Sequence, residues 1–450
     1  MWHVRENACV SSRTERLLSG LRELVAIESV SPDAARADAV DRASRWAAAR
    51  IRRAGGDVSV SKVERGRPLV IGEIPASATP RDAPDLLLYG HVDVQPAGPL
   101  ELWDSPPFEL TRRDGQLYGR GVADDKANVV ILLAAVEELV SVHALPVNVR
   151  FLIDAEEEVG GESADEWLRN DSRGASAALI LDGSVDELTV GIRGMLYGRI
   201  SVTTGAAEQH SGLYGGAALS AGETLVRATS ALLALDGRLP RPLRRGSAPP
   251  SAGEQETWHR LRTGEELLAE AGLRAADTTA AREFHQRTRA EPALTITGMR
   301  VGDVSQFSGS IPFEAEATIM LRPVAGQSAT AIAAEVERLV RDACPSEASL
   351  ELKWDLLYDG AAMAPDTPEL ILAADAIERN IGARPVPLRT GGSLPLFENL
   401  CQRGTPVICT GFGVEREANM HGPNERFPEA HLERGVDAIR EILVGLGKHR

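Results

Sequence analysis

Two histidines and a scattered set of carboxylates in this chain have the types and spacing of metal chemistry. His91 and Asp93 stand two apart in Tyr89-Gly90-His91-Val92-Asp93-Val94-Gln95-Pro96, directly after the apolar run Leu86-Leu87-Leu88. Residues i and i+2 of a strand share a face. Both side chains therefore point the same way, an arrangement in which a carboxylate holds a metal-bound imidazole and makes it more basic. Taken alone, the pair reads first as an ordinary capped strand end. More acids follow: Asp124-Asp125 inside the glycine-rich stretch Tyr118–Lys126, the run Glu156-Glu157-Glu158, and Asp182-Gly183. A nucleotide-binding glycine loop fits the second stretch poorly, because two adjacent carboxylates repel phosphate. The three glutamates also suit a solvated surface run, yet they come straight after an apolar strand. His421 lies in Asn419-Met420-His421-Gly422-Pro423-Asn424-Glu425, a polar loop with no core for a histidine to satisfy.

The elements that must position these groups can be read from periodicity. Helical spacing covers Glu15–Ile27, Asp38–Ala54 (ended by Gly55-Gly56) and Asn128–Ser141. Strand patterns cover Val58–Val63, Leu69–Ile74, Leu86–Tyr89, Val147–Asp154 and Ala177–Leu181, and Asp114-Gly115 marks a hairpin. Alternating strands and helices imply an α/β fold, a mostly parallel sheet with helices on both faces. Sites in such sheets form beyond the carboxyl ends of the strands. His91, Glu157, Glu158 and Asp182 fall at the ends of three different strands. Clustered carboxylates without partners repel one another, so the rim calls for a cation.

Near Gly191 the organisation changes. Met195–Thr204, Ala293–Thr297, Ile311–Leu321 and Leu350–Tyr358 read as strands, and Ala218–Asp236, Gly264–Ala271 and Thr330–Cys344 as helices. Arg238–Gly253, rich in Pro, Arg, Ser and Gly, reads as an exposed connector. This is an inserted α+β domain, a small sheet with helices on one face. Glu369–Ile381, Pro406–Cys409 and Glu429–Leu446 return to the first architecture. The expected division is residues 1–190 and 359–450 for the larger domain and 191–358 for the insert.

Composition narrows the function. The 450 residues are 43% hydrophobic and 25% charged, which is a globular balance with ample core. The net charge of −16 without a basic block argues against nucleic-acid and anionic-membrane partners. The apolar run Val129–Val140 contains Glu137 and Glu138 and is too short to span a bilayer. Met1–Arg16 shows no secretory pattern. Cys9, Cys344, Cys401 and Cys409 lack metal-finger or disulfide spacing and read as buried free thiols. A cytoplasmic location is expected. His3, His143, His259, His285, His431 and His449 have no chemical context and read as surface or packing residues.

With its five motifs in this order, the chain resembles the dinuclear-zinc metallopeptidases that include carnosinase-type dipeptidases, glutamate carboxypeptidases, aminoacylases and succinyl-diaminopimelate desuccinylase. The resemblance spans roughly residues 15–446. It implies two divalent ions, zinc first, with manganese or cobalt as substitutes. His91, Asp182 and the bridging Asp124 would hold one ion, and Glu158, His421 and Asp124 the other. Asp93 would orient His91, and Glu157 would act as general base. The insert would be a lid and dimerisation domain, with His210 of His210-Ser211-Gly212 reaching across a homodimer to the scissile carbonyl. Arg322, in Met320-Leu321-Arg322-Pro323, would grip the substrate's terminal carboxylate, assisted by Gly392 and Ser393. The implied activity is hydrolysis of dipeptides or small peptides, with N-acyl-amino-acid amidohydrolysis as the alternative and a silent binding protein as a third reading. Asp at position 182 tilts the implication toward dipeptides. Ala127, Leu219-Ser220 and Ser308-Gly309-Ser310 depart from the family pattern and touch substrate choice rather than the metal ligands.

Overall fold

The computed structural model describes residues 12–62, 66–78, 83–233, 238–303, 305 and 308–448. Cys9, His3 and His449, and the far ends of two expected elements at Val63 and Asp236, lie outside the described residues. Two compact units emerge: Met1–Val190 with Ala364–Pro387 and Asn399–Arg450, and Gly191–Met363 with Leu388–Glu398.

The first unit is built on six strands in the order Asp57–Lys62, Pro68–Ile74, Asn148–Asp154, Asp85–His91, Ala177–Leu181 and Val407–Thr410. The last four run parallel, and the first two form an antiparallel edge. The central strands are apolar runs rather than alternating ones because both of their faces are covered. Every residue of Ala177–Leu181 is buried, as is all of Asp85–His91 except Asp85. Asp57–Lys62, by contrast, alternates Val with Ser, which suits an edge strand. The helix Ala127–Ser141 is apolar around nearly its whole circumference. It packs against the helices Ala430–Leu446 and Ser12–Val25, while Ala37–Arg53 lies on the strand Pro68–Ile74. Register sets up the rim: His91 pairs with Asp154, so two neighbouring parallel strands end level.

The second unit has an antiparallel sheet ordered Ala293–Val301, Glu314–Arg322, Met195–Thr203, Ser349–Tyr358. Its strands alternate buried and partly exposed residues. Leu196, Ile200 and Val202 meet Ala221 and Leu225 of one helix and Ile332, Val336 and Val340 of another in a single core.

Two features differ from the sequence reading. The stretch Arg238–Gly253 is not simply an exposed connector, because Leu239 and Leu243 are buried in that core and anchor it. Leu388–Glu398 packs with the second unit, since its backbone and side chains bond to Arg193, Arg289 and Arg322. Cys409 is buried, whereas Cys344 and Cys401 are only half-buried, and all three are free thiols. Among the described residues, no helix is long and apolar enough to cross a membrane.

Candidate metal centre

The parallel strands ending at His91, Asp154 and Leu181 lie side by side, and the loops beyond them bring the acids together. Two groups result: His91, Asp124 and Asp182, and Asp124, Glu158 and His421, each with one potential ligand atom per residue within 4.8 Å of the others. Asp124 belongs to both groups. Its Oδ1 lies 2.9 Å from His91 Nε2 and its Oδ2 2.9 Å from His421 Nε2. His421 Nε2 is also 3.2 Å from Glu158 Oε2, and His91 Nε2 is 4.0 Å from Asp182 Oδ1.

Each residue is held for its place. Gly90 is bare because a Cβ there would sit 2.9 Å from Asp125 Oδ2. That approach lets Asp125 accept the His91 N–H at 3.1 Å while its other oxygen accepts from Asn128 at 2.7 Å. Asp93 is buried below His91: its Oδ2 accepts from Ser31 Oγ at 2.6 Å and from the Glu158 N–H at 3.2 Å. Among the described residues its Oδ1 has no hydrogen-bond partner, and it lies 3.4 Å from His91 Nδ1. The Nδ1 side of the ring thus faces Asp93, which leaves Nε2 for the centre. Gln95 clamps Glu158, donating from its backbone to Oε1 at 3.1 Å and from Nε2 to Oε2 at 2.9 Å.

A buried ion pair locks the two loops that carry Asp124 and His421. Glu425 Oε2 accepts from Arg120 Nη1 at 2.6 Å and from the Gly121 N–H at 2.8 Å. Its Oε1 accepts from Ala123 N at 2.8 Å and Asp124 N at 3.1 Å. Arg120 Nη2 then donates to the carbonyls of His421 at 3.0 Å and Gly422 at 3.1 Å. Gly121, at φ +79°, and the left-handed Asn419, His421 and Asn424 make the tight path. Sequence reasoning passed over Arg120, Glu425 and Gln95, although all three stand inside the motifs it singled out.

The electrostatics mark the centre as short of positive charge. Burial pushes Asp182 up to about 6, with His91 opposing and Asp124 and Glu158 adding to the rise. Burial, together with Asp182, Asp124 and Glu158, pushes Glu157 up to about 9 against the pull of His91. Hydrogen bonds to Asp124 and Glu158 raise His421 to about 10. At His91 burial acts downward, but the bond to Asp124 and the nearby Asp93 carboxylate outweigh it and the ring is raised. The raised histidines and the raised acids both reflect clustered negative charge at this point. The donor set fits divalent ions: imidazole nitrogen and carboxylate oxygen, at separations compatible with ligand distances of about 2.0–2.2 Å around a shared ion.

The remaining sequence-predicted residues lie in the second unit. His210 is exposed, and its Nδ1 accepts from the Gly212 N–H at 3.0 Å. With Nδ1 accepting, Nε2 is the ring nitrogen left to donate. Arg322 Nη1 donates to Ser393 Oγ at 2.7 Å, and Gly392 N donates to Thr390 Oγ1 at 3.3 Å.

The family model for "Peptidase family M20/M25/M40" matches residues 87–444. The chain belongs to the peptidase family M20/M25/M40. It is a hydrolase of metallopeptidase type. The sequence is 28% identical over 459 residues to a cysteinylglycine-S-conjugate dipeptidase of Corynebacterium striatum, covering 98% of each chain. It is 35% identical over 199 residues to a succinyl-diaminopimelate desuccinylase of Leptothrix cholodnii, covering 41% of this chain and 50% of that one. In fold it is similar to the metallo-carboxypeptidase Sso-CP2 of Sulfolobus solfataricus, with a TM-score of 0.82 over 96% of this chain and 99% of that one at 20% identity.

Proposed function

We propose that this peptidase hydrolyses the amide bond of dipeptides or small peptides that carry a free terminal carboxylate, using two zinc ions, as a cytoplasmic homodimer. The observation that carries the reading is Asp124, one oxygen to each of two histidines from opposite ends of the chain. His91, Asp182 and Asp124 would hold one ion, and Glu158, His421 and Asp124 the other. Bound there, the ions would polarise the scissile carbonyl and lower the pKa of a shared water. The mixed imidazole and carboxylate donors suit zinc, and manganese or cobalt would be accepted by the same set.

The protein's own groups do the rest. Glu157, half-buried beside the cluster, takes the attacking water's proton and passes it to the leaving amine, work worth about 10²–10⁴-fold. Asp93 keeps His91 in one tautomer and orientation. His210, with its proton on Nε2, is a donor ready for a developing oxyanion. The exposed Leu213 and Tyr214 beside it support a partner surface. Arg322 offers a planar fork to the terminal carboxylate, with Ser393 and Gly392 shaping its surroundings.

A second reading, an N-acyl-amino-acid amidohydrolase, is favoured by the desuccinylase relative. A panel of dipeptides against N-acetyl and N-succinyl amino acids, run before and after chelation and zinc return, separates the two. Dipeptide turnover lost on chelation and regained with zinc is expected. Turnover of acyl amino acids alone would replace the proposal, and activity indifferent to chelator would end it.

A further inference from the structure

In the second unit, Met195–Thr203 and Glu314–Arg322 pair with Leu196 opposite Leu321. Arg193, just ahead of the first strand, and Arg322, at the end of the second, therefore come to the same sheet end. The loop Thr390–Ser393 wraps onto them. Arg193 N donates to Gly392 O at 3.1 Å, and its Nε to Gly391 O at 3.2 Å. Ser393 Oγ donates to Arg193 O at 2.7 Å while accepting from Arg322 Nη1 at 2.7 Å. Gly391 must be glycine: a Cβ there would lie 3.0 Å from Arg193 Nη2 and 2.9 Å from Thr288 O.

Both guanidinium groups are half-buried, and neither meets a carboxylate among the described residues. Among the described residues, the terminal nitrogens of Arg193 bond to no protein group, and they are not sealed from solvent. Burial lowers Arg193 to about 10, with the charges of Arg322 and Arg289 adding to the fall. Arg287 and Arg238 of the same unit, by contrast, are paired with Asp277 and Glu283.

We propose that Arg193 and Arg322 form one anion site whose ligand brings two carboxylates, so that the preferred substrates end in aspartate or glutamate. The inference rests on the reading of Arg322 as the residue that meets the terminal carboxylate. One carboxylate cancels the charge of one guanidinium. The second, half-buried cation at the same sheet end would stay uncompensated, which is unfavourable. A side-chain carboxylate on the same terminal residue supplies the missing partner.

The test uses the metal-loaded enzyme with Ala-Glu, Ala-Asp and Ala-Gln. The expected wild-type result is a kcat/KM for an acidic dipeptide at least tenfold above that for Ala-Gln, expressed in KM. A charge-assisted hydrogen bond contributes about 1.5–3 kcal/mol, or roughly 10–150-fold. Arg193→Met should collapse that ratio, and Arg193→Lys should restore part of it. L-Glutamate should compete at least tenfold better than L-glutamine in the wild type, a readout independent of turnover. Equal use of Ala-Gln and Ala-Glu, or an equal loss for both in Arg193→Met, overturns the proposal and leaves Arg193 as a loop anchor. Arg322→Met separates the underlying reading: an unchanged KM for Ala-Gln would remove the terminal-carboxylate role itself, whatever Arg193 does.

Discussion

Replacing Glu425 with glutamine keeps the side chain's shape and removes its charge, and the effect can be worked from four hydrogen bonds. The carboxylate accepts from Arg120, Gly121, Ala123 and Asp124 at 2.6–3.1 Å. In the variant an amide NH₂ must face N–H donors on one side, and Arg120, 1% exposed, loses its counter-charge. Breaking a buried ion pair from one side costs about 3–5 kcal/mol. For a unit of this size each kcal/mol moves Tm by about 2–4 °C. The metal-free variant should thus melt roughly 6–20 °C below the parent. Because the same carboxylate fixes the Asp124 amide and, through Arg120, the His421 loop, zinc binding should weaken about 10–100-fold at both positions. Calorimetric melting of the metal-free protein followed by zinc titration reads both effects. A Tm within about 2 °C of the parent, or unaltered zinc affinity, would refute the idea that this pair holds the centre together.

Two further outcomes are expected. Glu157→Gln should retain both metal equivalents by elemental analysis while turnover falls at least about 10²-fold; activity near that of the parent would remove Glu157 as the base. Gln95→Leu should weaken metal binding about 10–100-fold at the Glu158–His421 position and spare the His91–Asp182 position, because only Glu158 loses its clamp; titration with two unchanged affinities would count against it.

What could be read from the sequence follows physical lines. His91 was legible because an apolar run with both faces buried ends there, and His421 because a loop of Gly, Pro and Asn offers an imidazole nothing else to do. The parallel sheet was legible because strands alternate with helices along the chain. Glu425 and Arg120 were not, since a buried ion pair between positions 305 apart has no local signature. The short helix Glu162–Asn170 and the strand Glu187–Ile192 were passed over because neither spans enough residues for its period to stand out. Leu239 and Leu243 were hidden by polar neighbours, and only tertiary packing reveals them as anchors. The placement of Leu388–Glu398 likewise depends on hydrogen bonds to arginines far away in sequence.

The order in which the polypeptide leaves the ribosome adds a consequence. His91, Asp124, Glu158 and Asp182 all precede residue 191, whereas His421 follows the whole second unit. On the proposed assignment, a chain still being synthesised, or released too early, would offer one cation a complete set of donors and the other only carboxylates. Cutting power would then arrive only with the segment that carries His421, and shorter copies would spare the peptides around them.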